Sequence, residues 1–137
     1  MNEDNKSGDS AHGATSAGLL IDSGRVLLEK RPDDARVTPG VWDTPGGHIE
    51  DGERPEAALI RELEEELSIK VQEFTLALVR DVWEEEASAL YRHYVYSVTK
   101  WLGEITPLEG QHIAWFLIAD VPSLAPLNPL VIEALRS

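Results

Sequence analysis

GHIEDGERPEAALIRELEEELSI, residues 47–69, carries two patterns at once. From Pro55 onward Leu59, Leu63 and Leu67 recur every fourth position with Ala58 and Ile60 beside them, which predicts an amphipathic helix over 55–67. Pro55 suits the first helical turn, where its missing N–H would have no partner anyway. The second pattern is acidic. Glu62, Glu65 and Glu66 stand at i, i+3 and i+4, so their carboxylates share one helix face. Like charges at those spacings cost about 0.2–0.5 kcal/mol per pair, and a hard divalent cation reverses the sign. Magnesium prefers oxygen ligands and shared substrate phosphates, so the face reads as a metal site for phosphate chemistry. Glu64 points elsewhere and is read as solvated.

Around this helix the chain reads as one domain. It has 137 residues, enough to bury a core without staples, and no cysteine, so disulfides and thiolate chemistry are excluded. Its net charge is -13, with eight acids against two arginines between Glu50 and Glu66. Such a surface repels nucleic-acid phosphates and anionic membranes. No apolar stretch is long enough to span a bilayer, and the polar start has no signal-peptide core. These features predict a cytoplasmic protein, a monomer or homodimer, with a small-molecule partner rather than nucleic acid or membrane.

Outward from the helix, residues 1–13 (MNEDNKSGDSAHG) read as a disordered tail and 14–137 as the folded domain. Ala14 to Ile21 and Arg25 to Glu29 are predicted strands joined by the turn Asp22-Ser23-Gly24, followed by a loop over 32–40. A short strand is expected over Val41 to Thr44, ending at Pro45-Gly46-Gly47. Long strands are expected over Phe74 to Trp83 and Leu90 to Trp101, another over His112 to Ile118, a loop over 122–129 and a closing helix over Leu130 to Arg136. The order β-β-β-α-β-β-β-α implies an α/β fold with a mixed sheet covered by helices.

Residues 47–69 resemble the Nudix box, G-x5-E-x7-R-E-U-x-E-E-x-G-U, where U is aliphatic. Gly47 takes the first glycine, Glu53 the first acid, Arg61-Glu62-Leu63 the R-E-U, Glu65 and Glu66 the acid pair and Ile69 the last aliphatic place. Ser68 departs from the pattern, where the family has glycine. The resemblance implies the Nudix fold, an α/β/α sandwich with a mixed central sheet, holding Mg2+ or Mn2+. It implies a hydrolase that cleaves a nucleoside triphosphate or another nucleoside diphosphate derivative to the monophosphate plus pyrophosphate or a phosphorylated product. Glu62, Glu65 and Glu66 would be metal ligands or general base, with Gly46 also at the metal and Glu53 and Arg61 in support. The alternative is a catalytically silent Nudix domain used as a nucleotide sensor, which would have no need of every acid.

Shorter matches point within the family. Glu109-Gly110-Gln111 and Asn128 resemble the MutT-type branch, which removes oxidised purine nucleotides; there the acid adds a metal ligand and the asparagine reads the base. Lys30-Arg31 resembles the same branch and makes Arg31 a candidate substrate contact, as are Gly47 and His48 beside the glycine pair. Plainer readings stand next to these: Asn128 before Pro129 as a turn or cap, Glu109 as a turn acid, His48 as a solvated histidine, and Glu84, Glu85 or Glu86 as the source of the distal acid. His93 and His112 lie in strands without partners at metal spacing. Trp42 is a core residue or a flank of the cleft. Leu27-Leu28 with Arg31, Arg36 and Gly40 resembles the coenzyme A branch, but Glu29, Pro32 and Thr44 break that pattern. At Ser68 a left-handed, strained residue is expected at the helix end.

Overall fold

The computed structural model describes residues 13–34, 40–123 and 126–136. Its elements are β1 (Gly13–Asp22), β2 (Arg25–Lys30), β3 (Trp42–Asp43), β4 (Gly46–His48), α1 (Pro55–Leu67), β5 (Lys70–Glu84), β6 (Ala89–Leu102) and β7 (His112–Leu117). A 3-10 helix (Ile118–Ser123) and α2 (Pro129–Leu135) close the chain.

β1 organises the sheet. It pairs in parallel with β6 from Gly13↔Tyr91 to Leu20↔Val98. On its other edge it takes β4 antiparallel at Thr15↔His48, Ser16↔Gly47 and Ala17↔Gly46, then turns through Ser23 and Gly24 into β2. β2 carries β7 along its whole length and β3 at Glu29↔Asp43 and Lys30↔Trp42. β5 forms the far edge, antiparallel to β6 and broken by register shifts near Val71–Phe74 and Leu76–Leu78. One parallel pairing among antiparallel ones makes the sheet mixed.

The two faces bury different alternating residues, as the period-two pleat dictates. Leu20 and Leu27 join Leu59, Leu63, Leu67 and Val98 beneath α1. Their neighbours Leu19, Val26 and Leu28 join Val95, Val121, Val131 and Ala134 beneath α2. Helices on both faces give the α/β/α sandwich. The leucine stripe of α1 is fully buried, which stabilises the fold by about 1.5–3 kcal/mol per side chain. An ion pair from Arg80 on β5 to Glu133 ties the sheet edge to α2.

The predicted α1 matches the observed helix end to end. Two short elements differ from expectation. Gly46 and Gly47 form a strand rather than only a turn, because β1 offers them a free edge. Residues 118–123 form a 3-10 helix, around Pro122, where strand end and loop were expected. The disordered reading of 1–13 falls outside the described residues except for Gly13, which begins β1; Arg36 also lies outside them. No described helix is long and apolar enough to cross a membrane.

Ser68 ends α1 at φ 63°, ψ 33°, its N–H bonded to Glu64 O at 3.0 Å. The expected left-handed residue is therefore present, on a serine. Ser68→Gly is expected to raise the unfolding free energy by up to about 1.6 kcal/mol: relief of about 1–2 kcal/mol of left-handed strain, less about 0.4–1 kcal/mol for glycine's freedom when unfolded. Urea denaturation of the two proteins checks this; an easier-unfolding variant would show that the position bears no strain.

Candidate active site

The site begins with a floor that has no side chains. A β-carbon on Gly46 would run into the Ser16 carbonyl oxygen and Ala17, and one on Gly47 would overlap the Glu62 carboxyl group. Beneath the helix, Gly18 leaves the same kind of room for Leu59 and Leu63. α1 therefore rides close to β1 and β4, and buried Ser16 fastens its start by donating to the Pro55 carbonyl at 2.7 Å. Gly46 N–H donates to Glu66 Oε1 at 3.3 Å, so the helix acid rests on strand backbone.

Arg61 holds the outer side. Its Nε and Nη2 donate to the two Glu53 oxygens at 2.8 and 2.9 Å, and Nη2 also reaches the His48 carbonyl at 3.0 Å. Nη1 donates to Glu62 at 3.0 Å and to Glu65 at 3.3 Å. The fork is bidentate on Glu53, the strong geometry for an arginine–carboxylate pair. These bonds hold the Glu53 carboxyl down at about 2 and raise the Arg61 guanidinium further.

The three helix acids are consequently not equivalent. Glu65 is half exposed and Glu62 is turned to Arg61, whereas Glu66 is 5% exposed. Burial pushes the Glu66 carboxyl far above the carboxylate range; a hydrogen bond with Glu62 and the charges of Glu29, Glu62 and Glu109 push it the same way. The segment before β7 closes over this end. Leu108 N–H and Thr106 N–H donate to the Glu66 and Leu67 carbonyls, both at 2.9 Å. Gln111 Nε2 donates to Glu66 O at 3.3 Å and lies 3.5 Å from Glu29 Oε1, and its own Oε1 accepts from Glu109 N at 2.9 Å.

Opposite lies a cavity of about 640 Å³ between β1, β3, β4, the ends of β5 and β6, and the start of α2. Arg31, Gly47, His48 and Asn128 line it, so the structure brings the sequence-predicted substrate residues to one cavity, where Gly46, expected at the metal, also lies. His48 stands edge-on to Tyr91, ring centroids 5.9 Å apart. Asn128 caps α2 by accepting from Leu130 N at 3.0 Å and donates through Nδ2 to Asp43 at 3.0 Å. The cap reading is thus present, and it orients the amide at the cavity rather than removing it. Trp42 packs edge-on against Phe116 at 4.9 Å in the cluster under α2, so it is a core residue rather than a flank of the cleft.

Two cavity acids were not singled out in the sequence. Glu29 and Asp43 face each other across β2 and β3, a placement that repels and weakens a sheet. Burial, then Asp43 and Glu109, pushes Glu29 up to about 7, against the Gln111 hydrogen bond. Burial also raises Asp43, against hydrogen bonds from Asn128 and Thr44. No local pattern marks either residue; only the cross-strand register joins them. His93 likewise has partners that sequence spacing hid, Thr15 and Glu84.

The donor set suits a hard divalent cation: carboxylate oxygens of Glu29, Glu62, Glu66 and Glu109 repel one another and raise the proton affinity of Glu66. Among the described residues, however, no three acid or histidine side chains stand gathered around one cation position. Glu62 and Glu65 would have to turn from Arg61 to complete a shell.

Comparison with known proteins agrees with this arrangement. The NUDIX domain matches residues 11–136. The chain is 35% identical over 98 residues to the 8-oxo-dGTP diphosphatase of Proteus vulgaris, covering 69% of this chain and 83% of that protein. It is 31% identical over 117 residues to the 8-oxo-dGTP diphosphatase of Escherichia coli K12, covering 84% and 88%. The crystal structure of a MutT NUDIX hydrolase from Burkholderia pseudomallei superposes with a TM-score of 0.80 at 29% identity, over 90% of this chain and 95% of that one.

The acid cluster makes metal-free stability depend on pH. Glu29 keeps its proton in the fold up to about 7, while the unfolded chain releases it near 4.5. Stability is therefore expected to fall as pH rises from about 4.5 to 7, by on the order of 1–3 kcal/mol for Glu29, and to go on falling above 7 as Glu66, raised further, is made to give up its proton. Urea unfolding in chelator across that range measures it. Glu29→Gln should lessen the slope between about 4.5 and 7, and so should millimolar magnesium; a slope unchanged by both would place the titration elsewhere.

Proposed function

Because the chain belongs to the Nudix family, we propose that its cavity binds a nucleoside triphosphate and that the protein hydrolyses it to the monophosphate and pyrophosphate. The observation that carries this reading is the junction of a nucleotide-sized cavity with a buried acid cluster on a glycine floor. Identity to 8-oxo-dGTP diphosphatases over most of the chain supports purine nucleotides, oxidised ones included, as substrates. The same acids would serve no purpose in a silent binding domain, where their repulsion costs stability without return.

Glu62, Glu65, Glu66 and Glu109, with the backbone at Gly46, are the residues we assign to Mg2+ or Mn2+. When bound, the cation neutralises phosphate charge and lowers the pKa of water. The chain's own groups do the rest. Arg61 and Glu53 fix the outer acids in register with the Gly46–Gly47 backbone, which lines the cavity without side chains of its own. Glu66, buried beside Glu62, is placed to hold or release a proton at the attacking water's side. Arg31 stands at the cavity with the charge to meet a phosphate oxygen, and its field already lowers Glu29 and Asp43. His48 and Asn128 are assigned to the substrate's other groups, Asn128 with its amide fixed by Asp43.

A nucleotide panel with magnesium, scored by pyrophosphate against orthophosphate released, tests the reaction. Purine triphosphates are expected to yield pyrophosphate; a marked preference for ADP-ribose, or full activity in excess chelator, would overturn the reading. Glu65→Gln or Glu66→Gln should each lower kcat at least about a hundredfold, near 2.7 kcal/mol of barrier, with cooperative unfolding retained.

The distal acid is assigned to Glu109, whose charge acts on Glu66 and Glu29, rather than to Glu84, which is engaged with His93. At saturating substrate Glu109→Gln should cost more in kcat than Glu84→Gln, Glu85→Gln or Glu86→Gln. A larger loss at any of those three would move the assignment to the end of β5.

A further inference from the structure

In the cavity wall three polar side chains form a chain of hydrogen bonds across three strands. Thr15 on β1 and His93 on β6 are direct register partners, with Thr15 Oγ1 to His93 Nδ1 at 2.6 Å. His93 Nε2 meets Glu84 Oε2 on β5 at 2.9 Å. All three line the cavity, together with the apolar Val82 and Val95. His93 is largely covered, its side chain 16% exposed.

The donors and acceptors of this chain follow from its chemistry. A carboxylate only accepts, so a neutral His93 donates from Nε2 to Glu84. Its Nδ1 is then a lone pair and must accept the Thr15 hydroxyl proton. The hydrogen of Thr15 is thereby committed inward. What the wall offers the cavity is acceptors alone: the Thr15 oxygen lone pairs and Glu84 Oε1. Such a wall repels a phosphate and suits an uncharged group carrying N–H donors. Val82 and Val95 supply apolar contact for a flat ring.

We propose that Thr15 and Glu84, positioned by His93, are specificity residues that read a purine edge bearing a ring N–H next to an exocyclic amino group. This rests on the reading of the cavity as a nucleotide site and extends it to the base. His93 is a positioning residue: it fixes the direction of the Thr15 hydroxyl and one oxygen of Glu84. A base with an acceptor at that edge would leave buried lone pairs facing one another, which discriminates more sharply than a missing methylene.

The test is equilibrium binding of the non-hydrolysable α,β-methylene analogues of guanosine and inosine triphosphates with magnesium; inosine lacks only the exocyclic amine. The parent is expected to bind the guanosine analogue at least about tenfold more tightly, the worth of one well-placed hydrogen bond. Thr15→Val and Glu84→Gln should each weaken the guanosine analogue about tenfold, and at least one should close the gap to inosine. Thr15→Ser, which keeps the hydroxyl, should keep the gap. His93→Leu, which frees that hydroxyl to rotate, should shrink the ratio, a readout that loss of packing alone would not move. Unfolding midpoints near the parent's show that the variants fold. No discrimination in the parent, or a gap that survives both Thr15→Val and Glu84→Gln, would overturn the proposal. Because binding is read apart from turnover, discrimination without hydrolysis would overturn the hydrolase reading and keep this wall. Hydrolysis without discrimination would do the reverse.

Discussion

The contact between α1 and the bare backbone of β4 is the constraint on which the rest of the structure depends. Leu59, Leu63 and Leu67 are fully buried against β1 and its neighbours, and they draw the helix down until Glu62 meets Gly47 and Glu66 meets the Gly46 N–H. The hydrophobic stripe provides the force and the glycines provide the distance. A side chain at Gly47 would lift the helix, and one at Gly46 would push β4 off β1; either would move the acids relative to the strand backbone.

That close packing creates the electrostatic problem the site then exploits. Burial and mutual repulsion raise Glu66 and Glu29, while Arg61, on the outer side, is bonded to Glu53, Glu62 and Glu65. The protein therefore divides its acids into a neutralised outer set and an uncompensated inner set. An uncompensated buried carboxylate is costly, and it persists where a cation or a proton is meant to be exchanged. The loop at Glu109–Gln111 completes the inner set by bonding to the same helix end, so the last turn of α1 gathers acids that lie far apart in sequence.

The sheet gives the cavity its polarity. Glu29 is paired with Asp43 and Thr15 with His93, each pair lining the cavity and set by strand register. β1 joins the two, since it pairs with β6 on one side and turns into β2 on the other. Asn128 ties the start of α2 to β3, since the amide that caps the helix also bonds Asp43.

Local chemistry alone settled the helix over 55–67, its acidic face and its end at Ser68. A 3.6-residue period, a proline at the start and the spacing of Glu62, Glu65 and Glu66 are properties of contiguous residues, and they survive any tertiary context that buries the leucines. The β1–β2 turn at Asp22-Ser23-Gly24 was legible for the same reason. What only the tertiary structure decided is which of those acids is buried and which is paired, since Arg61 and burial separate Glu65 from Glu66 though both lie on one face. It also decided the Glu29–Asp43 pair, the Thr15–His93–Glu84 chain and the double duty of Asn128. Each of these joins residues brought together by strand register or chain reversal. A sequence records the partners of a helix three and four residues away, but it records the partners of a strand only once the sheet has closed.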